Sequence, residues 1–63
     1  MRNSVAERRQ ALGWSQQLLA DTLGVSRQTV ISIEKGRFDP SLPLAFRLAT
    51  AFECRIEELF SPE

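Results

Sequence analysis

The sequence Leu23-Gly24-Val25-Ser26 separates two short amphipathic segments and decides the predicted fold. A sharp bend between helices needs a residue without Cβ strain, which Gly24 supplies, and an apolar neighbour to pin it, which Val25 supplies. Ser26 is a favourable N-cap for the segment that follows. The stretch therefore predicts two angled helices, a helix-turn-helix, over about residues 15 to 35.

Glycines and serines divide the rest of the chain in the same way. Gly13, Gly24 and Gly36 each follow an amphipathic stretch, at the position where helix ends favour glycine. Ser15 and Ser41 can cap the segments after them. These signals predict five helices, at about residues 3–12, 16–23, 27–35, 42–52 and 56–60. Strands are not expected, so the fold class is all-α, a single domain over 1–63.

Apolar residues at helical spacing predict the core. Trp14 is expected in the core or at its edge, and Cys54 as a small packed hydrophobe. The predicted inward positions are Val5 and Leu12 in the first helix, Leu19, Ala20 and Leu23 in the second, Val25, Val30 and Ile33 around the third, and Leu42, Ala45, Phe46, Leu48, Ala49 and Phe52 in the fourth. The last helix presents Ile56, Leu59 and Phe60 as its apolar side, opposite Glu57 and Glu58.

Composition excludes several classes of function. The 63 residues include one cysteine, no histidine and no tyrosine. An intrachain disulfide and a Cys/His metal site are therefore ruled out, and an enzyme is not expected. No cofactor, metal or small-molecule ligand is predicted. No apolar run approaches the roughly 20 residues that span a bilayer, so a cytoplasmic protein without a membrane partner is expected.

The net charge of zero conceals a polarised distribution. Residues 1–37 carry six basic and three acidic side chains, a net charge of +3, whereas residues 38–63 carry two basic and five acidic ones, a net charge of −3. Phosphate neutralisation requires a basic surface. Only the first part of the chain therefore suits a polyanion.

Five segments resemble the phage-repressor and Cro-like helix-turn-helix regulators, also called the XRE type. The similar segments are residues 14–20, 23–30 and 33–37, and Pro40-Ser41-Leu42 with Leu48-Ala49. The resemblance covers nearly the whole chain. It implies five helices, with the third lying in the major groove of double-stranded DNA, and a homodimer on a palindromic operator, with repression as the expected role.

The third predicted helix carries a polar row consistent with that role. Arg27, Ile31 and Lys35 follow one another at intervals of four residues, and Gln28 and Ser32 form the adjacent row. Arginine can bind guanine O6 and N7, and glutamine can bind adenine N6 and N7. Arg27, Gln28 and Ser32 are therefore predicted to contact bases. Ile31 is predicted either to contact a thymine methyl group or to serve in packing or dimerisation.

Other polar residues are assigned to the DNA backbone or to the scaffold. Phosphate contacts are predicted for Gln16, Thr29, Lys35 and Arg37. Arg9 and Glu34 each lie on an otherwise apolar stripe, which makes sense mainly if the two charges meet between the first and third helices. The family resemblance implies the same buried structural ion pair.

The predicted dimer surface comprises the last helix and the tail, through Ile56, Phe60 and Ser61-Pro62-Glu63, with Leu18 and Leu44 as other exposed apolar candidates. Two half-sites are expected because one recognition helix reads only a few base pairs. The alternative hypothesis is an antitoxin-like protein-interaction module that keeps the fold and uses its surface for a protein. The neutral net charge and the acidic second part of the chain favour that alternative slightly.

Overall fold

Five helices and a short strand pair form residues 1–62, the part of the chain that the computed structural model describes. Glu63, and with it that residue's predicted share of a dimer surface, lies outside the described residues. No helix within residues 1–62 is both long and apolar enough for a bilayer crossing. The elements are β1 (Arg2–Asn3), α1 (Val5–Ala11), α2 (Gln16–Leu23), α3 (Arg27–Glu34), α4 (Leu42–Phe52), α5 (Ile56–Leu59) and β2 (Phe60–Ser61).

Serine caps start the three central helices, as predicted. In each case the hydroxyl accepts a hydrogen bond from the backbone N–H three residues later, which satisfies a donor that the helix leaves unpaired. The distances are 3.0 Å from Leu18 N to Ser15 Oγ, 3.1 Å from Thr29 N to Ser26 Oγ and 3.3 Å from Leu44 N to Ser41 Oγ.

The turn between α2 and α3 has the left-handed geometry that its glycine allows. Gly24 has φ 73° and ψ 32°, and the following N–H, of Val25, donates to Ala20 O at 3.1 Å. Ala20 is fully buried, so the two helices approach each other closely at this alanine. The predicted helix-turn-helix is confirmed, with α3 ending one residue before the expected Lys35.

The core lies where all five helices converge. Leu19, Leu48 and Leu59 from α2, α4 and α5 are at most 1% exposed. Trp14 packs at the edge of this cluster, with its ring centroid 5.9 Å from that of Phe52. Cys54 is half-buried against the same cluster, as expected of a small hydrophobe.

The predicted burial of α4 is wrong at three positions. Leu42 and Phe46 were expected inside but are 64% and 57% exposed, whereas Leu44, an expected surface residue, is 8% exposed. Leu12 was also expected inside and is 52% exposed, because α1 ends at Ala11 and Leu12 already forms its C-cap. The apolar surface of the molecule is consequently larger around α4 than predicted.

The expectation of no strands is also wrong, although only for two residues at each end. Arg2 pairs with Ser61 and Asn3 with Phe60 in an antiparallel register. This pairing moves the start of α1 from Asn3 to Val5, and it ends α5 at Leu59. The Asn3 side chain joins the strand to the helices, because its amide donates to Ile33 O at 2.8 Å.

Candidate nucleic-acid interface

The first turn of α3 presents two predicted base-contacting side chains to solvent. Arg27 and Gln28 are both exposed and follow directly after the Ser26 cap. Ser32, one turn later on the same row as Gln28, is half-buried. The polar row is therefore outermost at the helix N-terminus, which is the end that enters deepest when such a helix reads a major groove.

Ile31 and Thr29 lie at the margins of this exposed face. Ile31 is half-buried, so part of its side chain is accessible while the rest packs against the protein. Thr29 is half-buried as well, and its hydroxyl lies 2.9 Å from the Ser26 hydroxyl. The Thr29 hydroxyl thus belongs to the cap of α3 as well as to the surface predicted to meet phosphate.

The other side of α3 is anchored by an ion pair between Arg9 and Glu34. Arg9 Nε lies 2.6 Å from Glu34 Oε2, and Arg9 Nη2 donates to Glu34 Oε1 at 3.3 Å. The two side chains are only 12% and 8% exposed. A third guanidinium nitrogen, Nη1, donates to Trp14 O at 2.8 Å. A charge this deep needs partners of this kind, because each ion has lost most of its hydration.

Gln16, a predicted phosphate contact, is joined to the same carboxylate. Its Nε2 donates to Glu34 Oε1 at 3.1 Å, and the residue is half-buried at the start of α2. Glu34 therefore accepts hydrogen bonds from α1 and from α2 at once. The sequence did not indicate this link, because Gln16 and Glu34 are 18 residues apart and an amide has many possible partners.

Two basic residues follow the exposed face of α3 at the end of the helix. Lys35 is the C-cap residue and Arg37 lies just beyond Gly36, and both are exposed. With Arg27 they place three cations on or beside α3. Glu34, the acidic residue of this helix, is already paired with Arg9. The exposed side of α3 is therefore electropositive, in keeping with the charge distribution of the sequence.

Phe38, which lies between the predicted third and fourth helices, also belongs to this surface. Its side chain is 45% exposed, and it lines a shallow cleft of about 180 Å³. The available signal was an aromatic residue directly after Lys35-Gly36-Arg37, which a solvated loop does not require. The other cleft residues are Ser26, Gln28, Thr29 and Ser32.

A second surface, formed by α4, α5 and β2, is apolar. Leu42, Phe46, Ile56 and Phe60 are all at least partly exposed there. Two clefts, of about 360 and 880 Å³, lie on this surface, with Ile56 in the wall of both. Ile56 and Phe60 were expected at a dimer surface. Leu44 cannot contribute because it is buried, while Leu18, 45% exposed on α2, lines neither cleft.

Known proteins match this chain along most of its length. The helix-turn-helix family model matches residues 5–59. The uncharacterized HTH-type transcriptional regulator YgzD of Bacillus subtilis is 48% identical over 60 residues, with 95% of this chain and 91% of that protein covered. An uncharacterized HTH-type transcriptional regulator of Methanocaldococcus jannaschii is 50% identical with the same coverage. The crystal structure of the restriction-modification controller protein C.AhdI from Aeromonas hydrophila is similar with a TM-score of 0.80 and 39% identity, over 89% of this chain and 85% of that one.

Proposed function

The chain belongs to the phage-repressor and Cro-like family of helix-turn-helix proteins, and we propose that it is a repressor that reads a specific duplex DNA sequence. In this proposal the exposed face of α3 enters the major groove, and a homodimer binds a palindromic site. The observation that carries it is the pair of free, long polar side chains, Arg27 and Gln28, in the first turn of a helix whose other side is fixed by a largely buried ion pair.

The proposed base contacts use the hydrogen-bonding chemistry of this first turn. The Arg27 guanidinium can donate two hydrogen bonds to guanine O6 and N7, and the Gln28 amide can bind adenine N6 and N7. Ser32 follows on the same row and can bind either kind of pair. Ile31 has an accessible part that suits a thymine methyl group.

The proposed phosphate contacts surround the base-reading row. Lys35 and Arg37 extend it beyond the end of α3, and Gln16 and Thr29 border it from the starts of α2 and α3. The Glu34 carboxylate holds one hydrogen atom of the Gln16 amide, which leaves the other for a phosphate oxygen. Such contacts fix the register of a protein on DNA without reading sequence.

The proposed dimer uses the apolar surface of α4, α5 and β2. Leu42 and Phe46 are more than half exposed, which is unfavourable for large apolar side chains unless a partner covers them. A two-fold pair would present two copies of α3 to half-sites about 34 Å apart. The dimer would then occupy enough duplex to exclude another protein from the same site, which is the basis of repression.

Selection of bound sequences from a random duplex pool tests the proposal. The wild-type protein is expected to enrich a two-fold symmetric sequence, and a variant with Arg27→Ala and Gln28→Ala is expected to fold normally but enrich none. Arg8→Ala and Gln10→Ala are the matched controls, because they remove the same chemical groups from α1, which lines neither cleft of the proposed dimer surface. Enrichment of one sequence by both wild type and the double variant would show that α3 does not read the bases.

The alternative, a protein-interaction module on the same fold, draws on the exposed Leu42 and Phe46 beside the acidic α5. The two functions respond differently to salt. Binding to duplex DNA should weaken steeply as salt rises, because counterions are released from each neutralised phosphate. A folded protein that selects no duplex at low salt would favour the interaction module.

A further inference from the structure

Phe38 is an aromatic residue on the recognition side of the molecule that the proposed contacts leave unused. Its side chain is 45% exposed, and it forms one wall of a cleft whose other walls are Gln28, Ser32 and the Ser26–Thr29 cap. The next two residues, Asp39 and Pro40, instead line the cleft on the apolar surface of α4 and α5. The loop therefore divides its side chains between the two surfaces, and Phe38 is the one on the side of α3.

The end of α3 fixes the path that brings Phe38 to this position. Gly36 adopts a left-handed conformation with φ 72°, its N–H donates to Ile33 O at 3.0 Å, and the N–H of Arg37 donates to Ser32 O at 2.9 Å. These two bonds form a Schellman motif, which turns the chain back along the helix that it ends. Phe38 thus lies beside Ser32 because of backbone bonds.

We infer that the cleft between Phe38 and the Gln28–Ser32 row receives the 5-methyl group of a thymine, and that Phe38 is a specificity-determining residue. The inference rests on the proposed function, since it requires α3 to lie in the major groove. Gln28 forms part of the same cleft. The thymine therefore belongs to the base pair that Gln28 reads or to its immediate neighbour.

The chemistry of the cleft favours a methyl group over the other major-groove features. The phenyl ring offers neither donor nor acceptor, so it gains most from an apolar group, and the thymine methyl is the apolar group that base pairs expose in this groove. A cytosine at the same place carries a hydrogen instead of the methyl group at C5, so the ring would lose its apolar contact. The cleft volume of about 180 Å³ accommodates a methyl group and part of the base edge.

Replacement of thymine by deoxyuridine provides the sharpest test, because it removes only the methyl group. The duplex selected by the wild-type protein is synthesised with one thymine at a time replaced, and the dissociation constant is measured for each duplex. At one thymine per half-site we expect about fourfold weaker binding by wild type, the factor that corresponds to about 0.8 kcal/mol for one buried carbon group. The Phe38→Ala variant should bind the unmodified duplex more weakly and show no further loss at that position.

Controls separate this contact from other roles of an exposed aromatic residue. Leu12→Ala removes an apolar side chain that is 52% exposed and does not line the cleft, so it should keep the full deoxyuridine effect. Phe38→Leu should retain part of it.

Four outcomes would overturn the inference. These are an equal deoxyuridine effect in wild type and Phe38→Ala, absence of a sensitive thymine, unchanged binding by Phe38→Ala, and a shift of the monomer–dimer equilibrium in that variant. Failure of the wild-type protein to select any duplex would contradict the proposed function itself, and is therefore distinguishable.

Discussion

The two sides of α3 have opposite properties within eight residues. On the inner side Val30 and Ile33 are at most 1% exposed, and Glu34 accepts hydrogen bonds from Arg9 and Gln16. On the outer side Arg27 and Gln28 are free in solvent. The inner side determines whether the domain folds and where the helix points, and in our proposal the outer side determines what it binds. Substitutions on the two sides should therefore change different measurements.

The largest effect is expected from Arg9→Ala. This change leaves the Glu34 carboxylate buried without its cation, which should lower the free energy of unfolding by about 3–5 kcal/mol, most of the stability of a domain this size. Urea unfolding followed by circular dichroism measures it. A double variant, Arg9→Met with Glu34→Leu, should recover much of the loss, because no unpaired charge remains. A loss below about 1 kcal/mol for Arg9→Ala would mean that the ion pair does not hold α3.

Ile33→Ala tests the apolar part of the inner side. Ile33 is 1% exposed, so truncation should remove about 2–5 kcal/mol of stability, whereas Ile33→Val should remove only about 0.5–1.5 kcal/mol. Thermal unfolding of the three proteins gives the order. At a temperature where Ile33→Val is folded, its affinity for the selected duplex should equal that of wild type. A change in the affinity of Ile33→Val for the duplex, without a change in its stability, would contradict the division of α3 into a folding side and a binding side.

Ser26 lies where the two sides of α3 meet, because it caps this helix and its hydroxyl contacts that of Thr29. The Ser26→Ala variant tests this position. Loss of the cap should cost about 1 kcal/mol of stability, and Ser26→Gly a few tenths. Ser41→Ala removes the corresponding cap of α4 and serves as the control. Both alanine variants should lose similar stability by urea unfolding, but only Ser26→Ala should weaken DNA binding. Equal DNA binding by the two alanine variants would show that the cap of α3 does not contribute to DNA recognition.

The smallest effect is expected from Lys35→Ala on the outer side. Lys35 is exposed, so stability should stay within about 0.5 kcal/mol of wild type. Loss of one phosphate contact should reduce the slope of log affinity against log salt by about 1, with the same preferred sequence. Titrations by fluorescence anisotropy at several salt concentrations measure the slope. Arg8→Ala, which removes a cation from α1, is the control, and an unchanged slope for Lys35→Ala would place this lysine outside the interface.

Local signals in the sequence predicted the helices that carry the interface. Serine caps and a glycine at the turn act within a few residues, so α2, α3 and α4 begin where the sequence indicated. The strand pair could not be predicted in this way, because residues 2–3 and 60–61 are joined across almost the entire chain. No two-residue segment carries a strand pattern of its own.

The burial of α4 shows a different limit. Ala45, Leu48, Ala49 and Phe52 define the buried stripe, and Leu44 and Phe46 flank it on opposite sides at 100° per residue. Both neighbours are large and apolar, so helical periodicity does not distinguish them. Packing against the other helices buries Leu44 and leaves Phe46 in solvent.

The candidate site was likewise predictable only in part from the sequence. Helical spacing predicted that Arg27, Gln28 and Ser32 share one side of α3, and the charges of Arg9 and Glu34 indicated that they should pair. The Gln16 bond to Glu34 and the position of Phe38 beside Ser32 depend on tertiary structure. The sequence therefore predicted which residues α3 offers, but not which residues from elsewhere join them.

The Glu34 carboxylate on α3, which accepts hydrogen bonds from both α1 and α2, also bears on how such a protein can be controlled. Because Glu34 is bonded to both Arg9 and Gln16, tilting the helix breaks the same contacts that keep the chain folded. We therefore expect a molecule that is either folded and able to bind DNA or unfolded. Thermal unfolding and the loss of DNA binding should then occur over the same range of temperature. Synthesis and proteolysis, which change the number of folded copies, would then change DNA occupancy directly.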